Sequence, residues 1–278
     1  MTKAVVLARG LGTRMRNHDD GDSVAAPLDA RQMEAAKLGA KAMMPIGAGG
    51  RPFLDYVLSA LADAGYGAAC LVIAPDADAI RDYYERVARP RRLRVAFAVQ
   101  AQPRGTADAL LSAESFAGAD DVLVLNGDNY YPVAALRALR TMSTTSAAAT
   151  VLFEPDALVR ESNIPAERIR AFALGLVDAD GFLSDLIEKP DEAAWRSLGS
   201  RALVSMNCWR LSPAIFDVCR MLQPSSRGEL ELPHAIHDAI TAGMRFHVVR
   251  SADGVLDLSR RADVTAVAAR LRDVAVAP

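Results

Sequence analysis

Lysine is scarce in this sequence: Lys3, Lys37, Lys41 and Lys189 are the only ones among 32 lysines and arginines. Arginine carries the rest of the positive charge, so a retained lysine can mark a place that needs a compact point charge rather than a planar fork. Cysteine is scarce too. Cys70, Cys208 and Cys219 are odd in number and contain no CxxC pair, which excludes a disulfide framework and a zinc site of that kind. No apolar run approaches the roughly 20 residues of a membrane helix. The stretch Ala4–Ala8 stops at Arg9-Gly10, too short for a signal-peptide core. An excess of one charge is also missing: 32 basic against 34 acidic residues leave a formal net charge of -2. A nucleic-acid partner normally needs a basic face. These absences point to a cytoplasmic protein with neither membrane nor nucleic acid among its partners.

What is there has the balance of an ordinary globular chain, 51% hydrophobic and 24% charged over 278 residues, enough for a substantial core. Ala4–Ala8 is an unbroken apolar run of strand length, the mark of a strand buried on both faces. Leu71–Ala74, Val95–Val99 and Val122–Leu125 repeat it. Between them, Phe53–Ala64, Asp76–Val87 and Thr106–Glu114 carry apolar residues at helical spacing. Such alternation predicts a mainly parallel sheet with helices on both faces and a ligand at the carboxyl ends of the strands. In the later half, Ala147–Phe153 and Ala202–Leu211 read as strands, and Ala179-Asp180-Gly181 as the turn between Leu174–Asp178 and Phe182–Glu188. Helices are expected over Ala30–Leu38, Pro213–Leu222, Leu232–Thr241 and Arg260–Arg272. With no linker or repeat, one domain over 1–278 is the simplest division, with a nucleotide-binding half to about 130 and an acceptor half from about 131.

The first strand runs into Leu7-Ala8-Arg9-Gly10-Leu11-Gly12-Thr13-Arg14-Met15-Arg16. Glycines directly after a buried strand let backbone N–H groups approach phosphate oxygens. The P-loop pattern GxxxxGK is excluded because no lysine follows at that spacing, and the dinucleotide pattern GxGxxG because Met15 replaces its third glycine. What remains is Gly-x-Gly-Thr-Arg, a cradle ending in a guanidinium whose fork matches phosphate. A tight turn with an exposed arginine is the plain alternative.

That segment resembles the LAxGxGTRxR signature of the sugar-nucleotide pyrophosphorylases, the sugar-1-phosphate nucleotidyltransferases. Five further segments fall in that family's order. They are Lys41-Ala42-Met43-Met44-Pro45-Ile46, Gln100 with Pro103–Ala109, Val124–Asp128, Glu188-Lys189-Pro190, and Val255–Leu258. The resemblance implies a three-layer, Rossmann-like α/β nucleotidyltransferase fold in its short form, without a β-helix domain. It implies an enzyme whose partners are a nucleoside triphosphate and a sugar 1-phosphate, with Mg2+ as cofactor. A homo-oligomer stays open.

The family's residue roles carry over as follows. Leu7, Ala8, Gly10, Gly12 and Thr13 would line the nucleotide, with Arg14 and Lys41 on its phosphates. Gln100, Gly105 and Thr106 would meet the base, the Gln100 amide offering both a donor and an acceptor. Asp128 and Asp257 would hold magnesium, each otherwise an N-cap or turn aspartate. Lys189 would bind the sugar phosphate, and Glu188 the sugar hydroxyls unless it is an edge charge. Asn126 and Asn207 would line the sugar pocket, although a buried strand Asn207 bonded to backbone is the alternative. Gly175 would let the sugar approach the backbone, or else mark a bulge. Lys3 and Lys37 read as solvated surface residues, and His234 with His237 as a helix face rather than a metal pair.

A sugar phosphate is mostly dianionic near neutral pH, its second pKa being about 6. No general base is needed, so the lack of a Ser/His/Asp constellation is expected. Gln100 favours dTTP or UTP; GTP or ATP is the alternative, as is a catalytically silent nucleotide-sugar-binding protein. Two departures stand out. Arg9 occupies a position where the family has Ala or Gly, so its side chain must point away or reach the phosphates. The connection from Arg16 to Lys41 is long, with a polar loop over Asn17–Ser23, and reads as a lid.

Overall fold

The computed structural model describes residues 2–10, 12–16, 28–47, 49–142 and 148–278. The polar loop over 17–23 lies outside them. Thirteen strands are described: β1 (Lys3–Leu7), β2 (Pro45–Ile46), β3 (Arg51–Pro52), β4 (Ala68–Ile73), β5 (Arg94–Val99), β6 (Val122–Asn126) and β7 (Asn129–Tyr130) in the first half. The second half adds β8 (Ala148–Phe153), β9 (Leu174–Val177), β10 (Phe182–Ile187), β11 (Leu203–Leu211), β12 (Phe246–Ser251) and β13 (Leu256–Asp257). Nine of them form one sheet in the order β5-β4-β1-β6-β11-β8-β12-β10-β9. β1 lies parallel between β4 and β6, and β4 parallel to β5, so the nucleotide half is a parallel sheet as the apolar runs imply. β11 then runs antiparallel to both β6 and β8 and turns the second half into a mixed sheet.

The sheet separates two cores. Val5 of β1 packs on one face with Ala107, Leu110, Ile215, Phe216 and Ile236. Its neighbours Ala4 and Val6 pack on the other with Phe53, Leu54, Leu61 and Leu136. Strand alternation thus sends successive side chains of one apolar run into different helical layers. That is why the run shows no polar face.

Several expected elements come out differently. β5 is an edge strand and only partly covered, although its apolar run suggested a buried one. The helix expected over Asp76–Val87 ends at Asp82 and continues as a wider π-turn over Tyr83–Ala88. There Tyr83 and Tyr84 donate to the two oxygens of the buried Asp55 at 2.8 and 2.9 Å. The wider turn brings two successive tyrosines onto one carboxylate. The segment between Phe153 and Arg170, to which the sequence reading assigns no element, contains two short helices, Pro155–Glu161 and Ala166–Ile169, and β12 is a strand that this reading does not assign. The helix Ala30–Leu38 forms as its pattern predicts, opened by an Asp29–Gln32 capping box and closed by Gly39 in the left-handed region. Gln32 also donates to the Pro45 carbonyl, so the described part of the expected lid is tied to the body.

Candidate active site

β1 and β6 are parallel neighbours, so their carboxyl ends open on one edge of the sheet. The Gly127 amide donates to the Leu7 carbonyl at 2.9 Å, and a Cβ on Gly127 would lie 3.0 Å from that oxygen. Glycine here lets the loop before Asp128 lie against the start of the glycine-rich loop. At Gly12, φ is +60° and a Cβ would fall 2.2 Å from the Gly39 carbonyl oxygen, so the loop is pressed onto the helix behind it. A Cβ on Gly10 would meet nothing within 4 Å. Arg14 stands exposed on the short helix Thr13–Arg16 and makes no ion pair with a described residue.

Lys41 and Asp128 meet: the Lys41 ammonium donates to Asp128 Oδ2 at 3.0 Å. Asp257 is brought beside them by backbone pairing. β13 runs antiparallel to β7 with Asp257 opposite Asn129, and the Leu258 amide donates to the Asp128 carbonyl at 2.9 Å. Neither aspartate caps a helix. Asp128 lies two residues beyond the strand it was expected to end, in a turn. Asp257 is 4% exposed, and its Oδ1 has no hydrogen-bond partner among the described residues. Burial first, and then the Asp128 charge, push its carboxyl up to about 6. The two acids therefore sense each other.

Two residues that the sequence did not single out hold Asp257 in place. Asn163 accepts from the Asp257 amide and donates to its carbonyl, both at 2.8 Å. Arg168 places Nη2 3.5 Å from Asp257 Oδ2, and its Nη1 donates to both oxygens of Asp263 at 3.1 and 3.2 Å. Asp263 also accepts from the Ser259 and Arg260 amides. Asn163 and Arg168 sit in the segment between Phe153 and Arg170. No local pattern announces a contact spanning about 90 residues.

At the base end, Gln100 is 3% exposed, and its Nε2 donates to the Gly105 carbonyl at 3.0 Å and to Asp108 Oδ2 at 2.8 Å. Both neighbours are acceptors, which fixes the amide orientation. Its donors are therefore already engaged, a correction to the expectation that the amide offers a donor as well as an acceptor. The Thr106 hydroxyl accepts from the Leu232 amide at 2.8 Å and so fastens a loop. Gly105, at φ +112°, would put a Cβ 2.3 Å from the Leu230 carbonyl oxygen, so that loop lies directly on it. Arg9 neither points away nor turns to the phosphate loop: its Nε donates to the Gln100 carbonyl at 2.7 Å.

At the acceptor end, Glu188 and Lys189 close β10, with Lys189 at φ +48°. Glu188 is exposed as a residue, yet its carboxyl is drawn among neighbours. Burial of that group and then the Glu231 charge raise its pKa, while His234, Arg227 and Lys189 oppose the shift. Arg227 and Glu231 are ion-paired with each other at 2.6 Å. His237 pairs with Asp185 at 2.8 Å, and no group of three metal-ligating side chains occurs among the described residues. The Cβ side of Gly175 is filled by Leu152 and Leu183, so on that side its lack of a side chain serves core packing. Asn207 sits at φ +56° where the β11–β8 register shifts, and its Oδ1 accepts from the Trp209 indole at 3.4 Å rather than from backbone. Asn126 donates to Asn129 Oδ1 at 3.2 Å. Lys3, expected to be solvated, donates to the Ala117 carbonyl and pairs with Asp120 at 2.7 Å.

Similarity to known proteins gives the family and the fold. A UTP–glucose-1-phosphate uridylyltransferase of Haloferax volcanii is 27% identical over 271 residues, covering 98% of this chain and 97% of that one. A glucose-1-phosphate thymidylyltransferase of Streptomyces griseus is 29% identical over 243 residues, 87% of this chain but 58% of the relative's length. The fold is shared with a UDP-glucose pyrophosphorylase solved with UDP-glucose, at a TM-score of 0.71, 16% identity and 97% coverage of each chain. Residues 36–258 match the Nucleotidyl transferase family, and the chain belongs to it.

Proposed function

We propose that this enzyme joins a nucleoside triphosphate to a sugar 1-phosphate, releasing pyrophosphate and forming a nucleoside diphosphate sugar, with UTP or dTTP as the nucleotide. The observation that carries the reading is the meeting of Lys41, Asp128 and Asp257 on the carboxyl edge, where the loop before Asp128 lies against the glycine-rich loop that follows β1. One phosphate oxygen of the sugar attacks the α-phosphorus, the bond to the β-phosphate breaks, and pyrophosphate leaves with the electron pair. Such a transfer needs positioning and charge neutralisation more than covalent chemistry. Lys41 and Arg14 supply cations for the triphosphate and Lys189 one for the incoming phosphate.

The two acids fit a divalent metal. Magnesium takes one or two carboxylates together with substrate oxygens and water, and Asp257 has a buried oxygen without a partner beside a second carboxylate. Asp128 and Asp257 would hold it, and when bound it supplies charge neutralisation at the α-phosphate. Lys41, now on Asp128, is placed to turn to phosphate when the nucleotide arrives. The three thiols are free and buried, in keeping with a cytoplasmic setting. Among the described residues no helix is long and apolar enough to cross a membrane.

With both Gln100 donors engaged, Oε1 is the atom left to read a base, and it accepts. Uracil and thymine offer it the N3–H between two carbonyls; guanine offers N1–H, whereas adenine and cytosine present a ring lone pair. This favours uracil or thymine over cytosine, and leaves GTP ahead of ATP as the alternative. The test is a pyrophosphate-release screen of UTP, dTTP, GTP, ATP and CTP against a panel of sugar 1-phosphates with magnesium. Release with UTP or dTTP is expected; no release with any pair overturns the reading, a silent binding protein included among the explanations.

A further inference from the structure

Arg9 is one of the places at which this chain leaves the family pattern, and its side chain lies across the base end of the site. It follows β1, and Gln100 follows β5, with β4 between the two strands. Its Nε donates to the Gln100 carbonyl at 2.7 Å, and its Nη2 reaches the Ala101 carbonyl at 3.4 Å. Gln100 is thereby held at every other polar group. Its amide donates to the Ile73 carbonyl, its carbonyl accepts from Arg9, and its Nε2 is shared by Gly105 and Asp108. Asp108 is in turn clamped by Arg104 at 2.6 and 3.1 Å. Only Oε1 is left over.

A guanidinium has five N–H donors. Two are directed at the carbonyls of Gln100 and Ala101, so both on Nη1 and one on Nη2 remain, on a guanidinium held against the Gln100 backbone. A fixed acceptor flanked by cationic donors is the complement of an N–H flanked by carbonyl oxygens. We propose that Arg9 is a base-selecting residue, which together with Gln100 favours the imide edge of uracil or thymine and rejects cytosine. Uracil and cytosine are alike in size, so steric fit cannot separate them. Cytosine turns its N3 lone pair toward Oε1 and its amino group toward the guanidinium, leaving buried polar groups unpaired on both sides, which is the strong form of discrimination. A glycine or alanine at position 9 would leave the reading to backbone and Gln100 alone.

The inference rests on the proposed nucleotide site, and its test is arranged so that the two can fail separately. Wild type, Arg9→Ala and Arg9→Lys are compared for equilibrium binding of UTP and CTP, and for kcat/KM with each nucleotide. Thermal melting establishes that each variant is folded. Wild type should prefer UTP to CTP, and Arg9→Ala should cut that ratio by about 10-fold or more, the size of one good bidentate base contact. Arg9→Lys keeps the charge but cannot bridge two carbonyls while offering a planar edge, so it should not restore the ratio. If Arg9→Ala weakens UTP and CTP by the same factor, the residue only latches the two loops together and the proposal is overturned. Equal binding of UTP and CTP by wild type overturns it as well. If UTP selectivity in binding is present and falls on losing Arg9, while no sugar 1-phosphate supports pyrophosphate release, the base-selecting role stands and the proposed reaction does not.

Discussion

Arg168 Nη2 lies 3.5 Å from Asp257 Oδ2 while the same guanidinium grips Asp263, so one part-buried cation serves two buried acids. Removing one partner of a buried pair leaves an uncompensated charge and costs about 3–5 kcal/mol. Arg168→Met should therefore lower the melting temperature sharply, and adding Asp257→Asn should recover part of the loss. A double-mutant cycle by thermal melting checks this. Additive losses would mean that the two side chains do not interact.

The same carboxyl predicts a pH dependence. Asp257 is pushed up to about 6 by burial and by Asp128, whereas in the unfolded chain it sits at its ordinary 3.8. Between those values the folded state binds the extra proton, so this group's contribution to stability grows as pH falls through 6 and its cost is fully present above it. Ligand-free protein should thus show a component of stability that rises from pH 7 toward pH 5, absent in Asp257→Asn. Matched melting curves of the two proteins at pH 5 and pH 7 decide the point.

Gly105 is held at φ +112° with the Leu230 backbone in the place of a side chain. Gly105→Ala cannot be absorbed by a rotamer change, because the opposing atoms are main chain. Strain of this kind costs on the order of 1–3 kcal/mol. It would also shift the carbonyl that orients Gln100. A lower melting temperature and a raised KM for the nucleotide are expected together; a rise in neither would mean that the loop relaxes freely.

The buried runs of β1, β4 and β6 were readable because a strand covered on both faces is apolar throughout, whatever the rest of the chain does. The edge strand β5 looked the same in sequence, since an apolar run does not say how many neighbours a strand has. Asp128 and Asp257 were found through their motifs, but their spacing in the fold comes from β7 and β13, strands of two residues each, too short to carry a pattern. Arg9 shows the limit most plainly. Its unusual position was visible, and its target was not, because the target depends on β5 lying two strands from β1.

Arg14 stands exposed at the end of the glycine-rich loop and makes no ion pair with a described residue. Its loss should therefore leave the fold alone. As a cation aimed at phosphate charge that develops in the transition state, it should be worth about 100- to 1,000-fold in kcat. Arg14→Ala with an unchanged melting temperature and a kcat lowered by that order is the expected result. Near wild-type turnover would remove Arg14 from the mechanism.

The last prediction separates metal carboxylates from structural ones. Asp128 raises the Asp257 pKa, so without metal the two acids repel, and Asp257 lacks a partner for one oxygen. Replacing Asp257 with Asn removes the repulsion and a buried charge, while Asp263 keeps Arg168 paired. The metal-free variant should be at least as stable as wild type. Asp128→Asn gives up the 3.0 Å contact with Lys41 in exchange for the same relief. Asp128 is part-exposed, and such a pair is worth little, so its melting temperature should change only slightly. Turnover should be abolished in both, because each removes a charged ligand from the α-phosphate site. A structural aspartate would behave oppositely, with early melting and largely intact chemistry. Melting temperature and pyrophosphate release, measured on the same two variants, give the answer: if Asp257→Asn melts early and still turns over, Asp128 is left as the only acidic metal ligand, and Asp257 serves Arg168 alone.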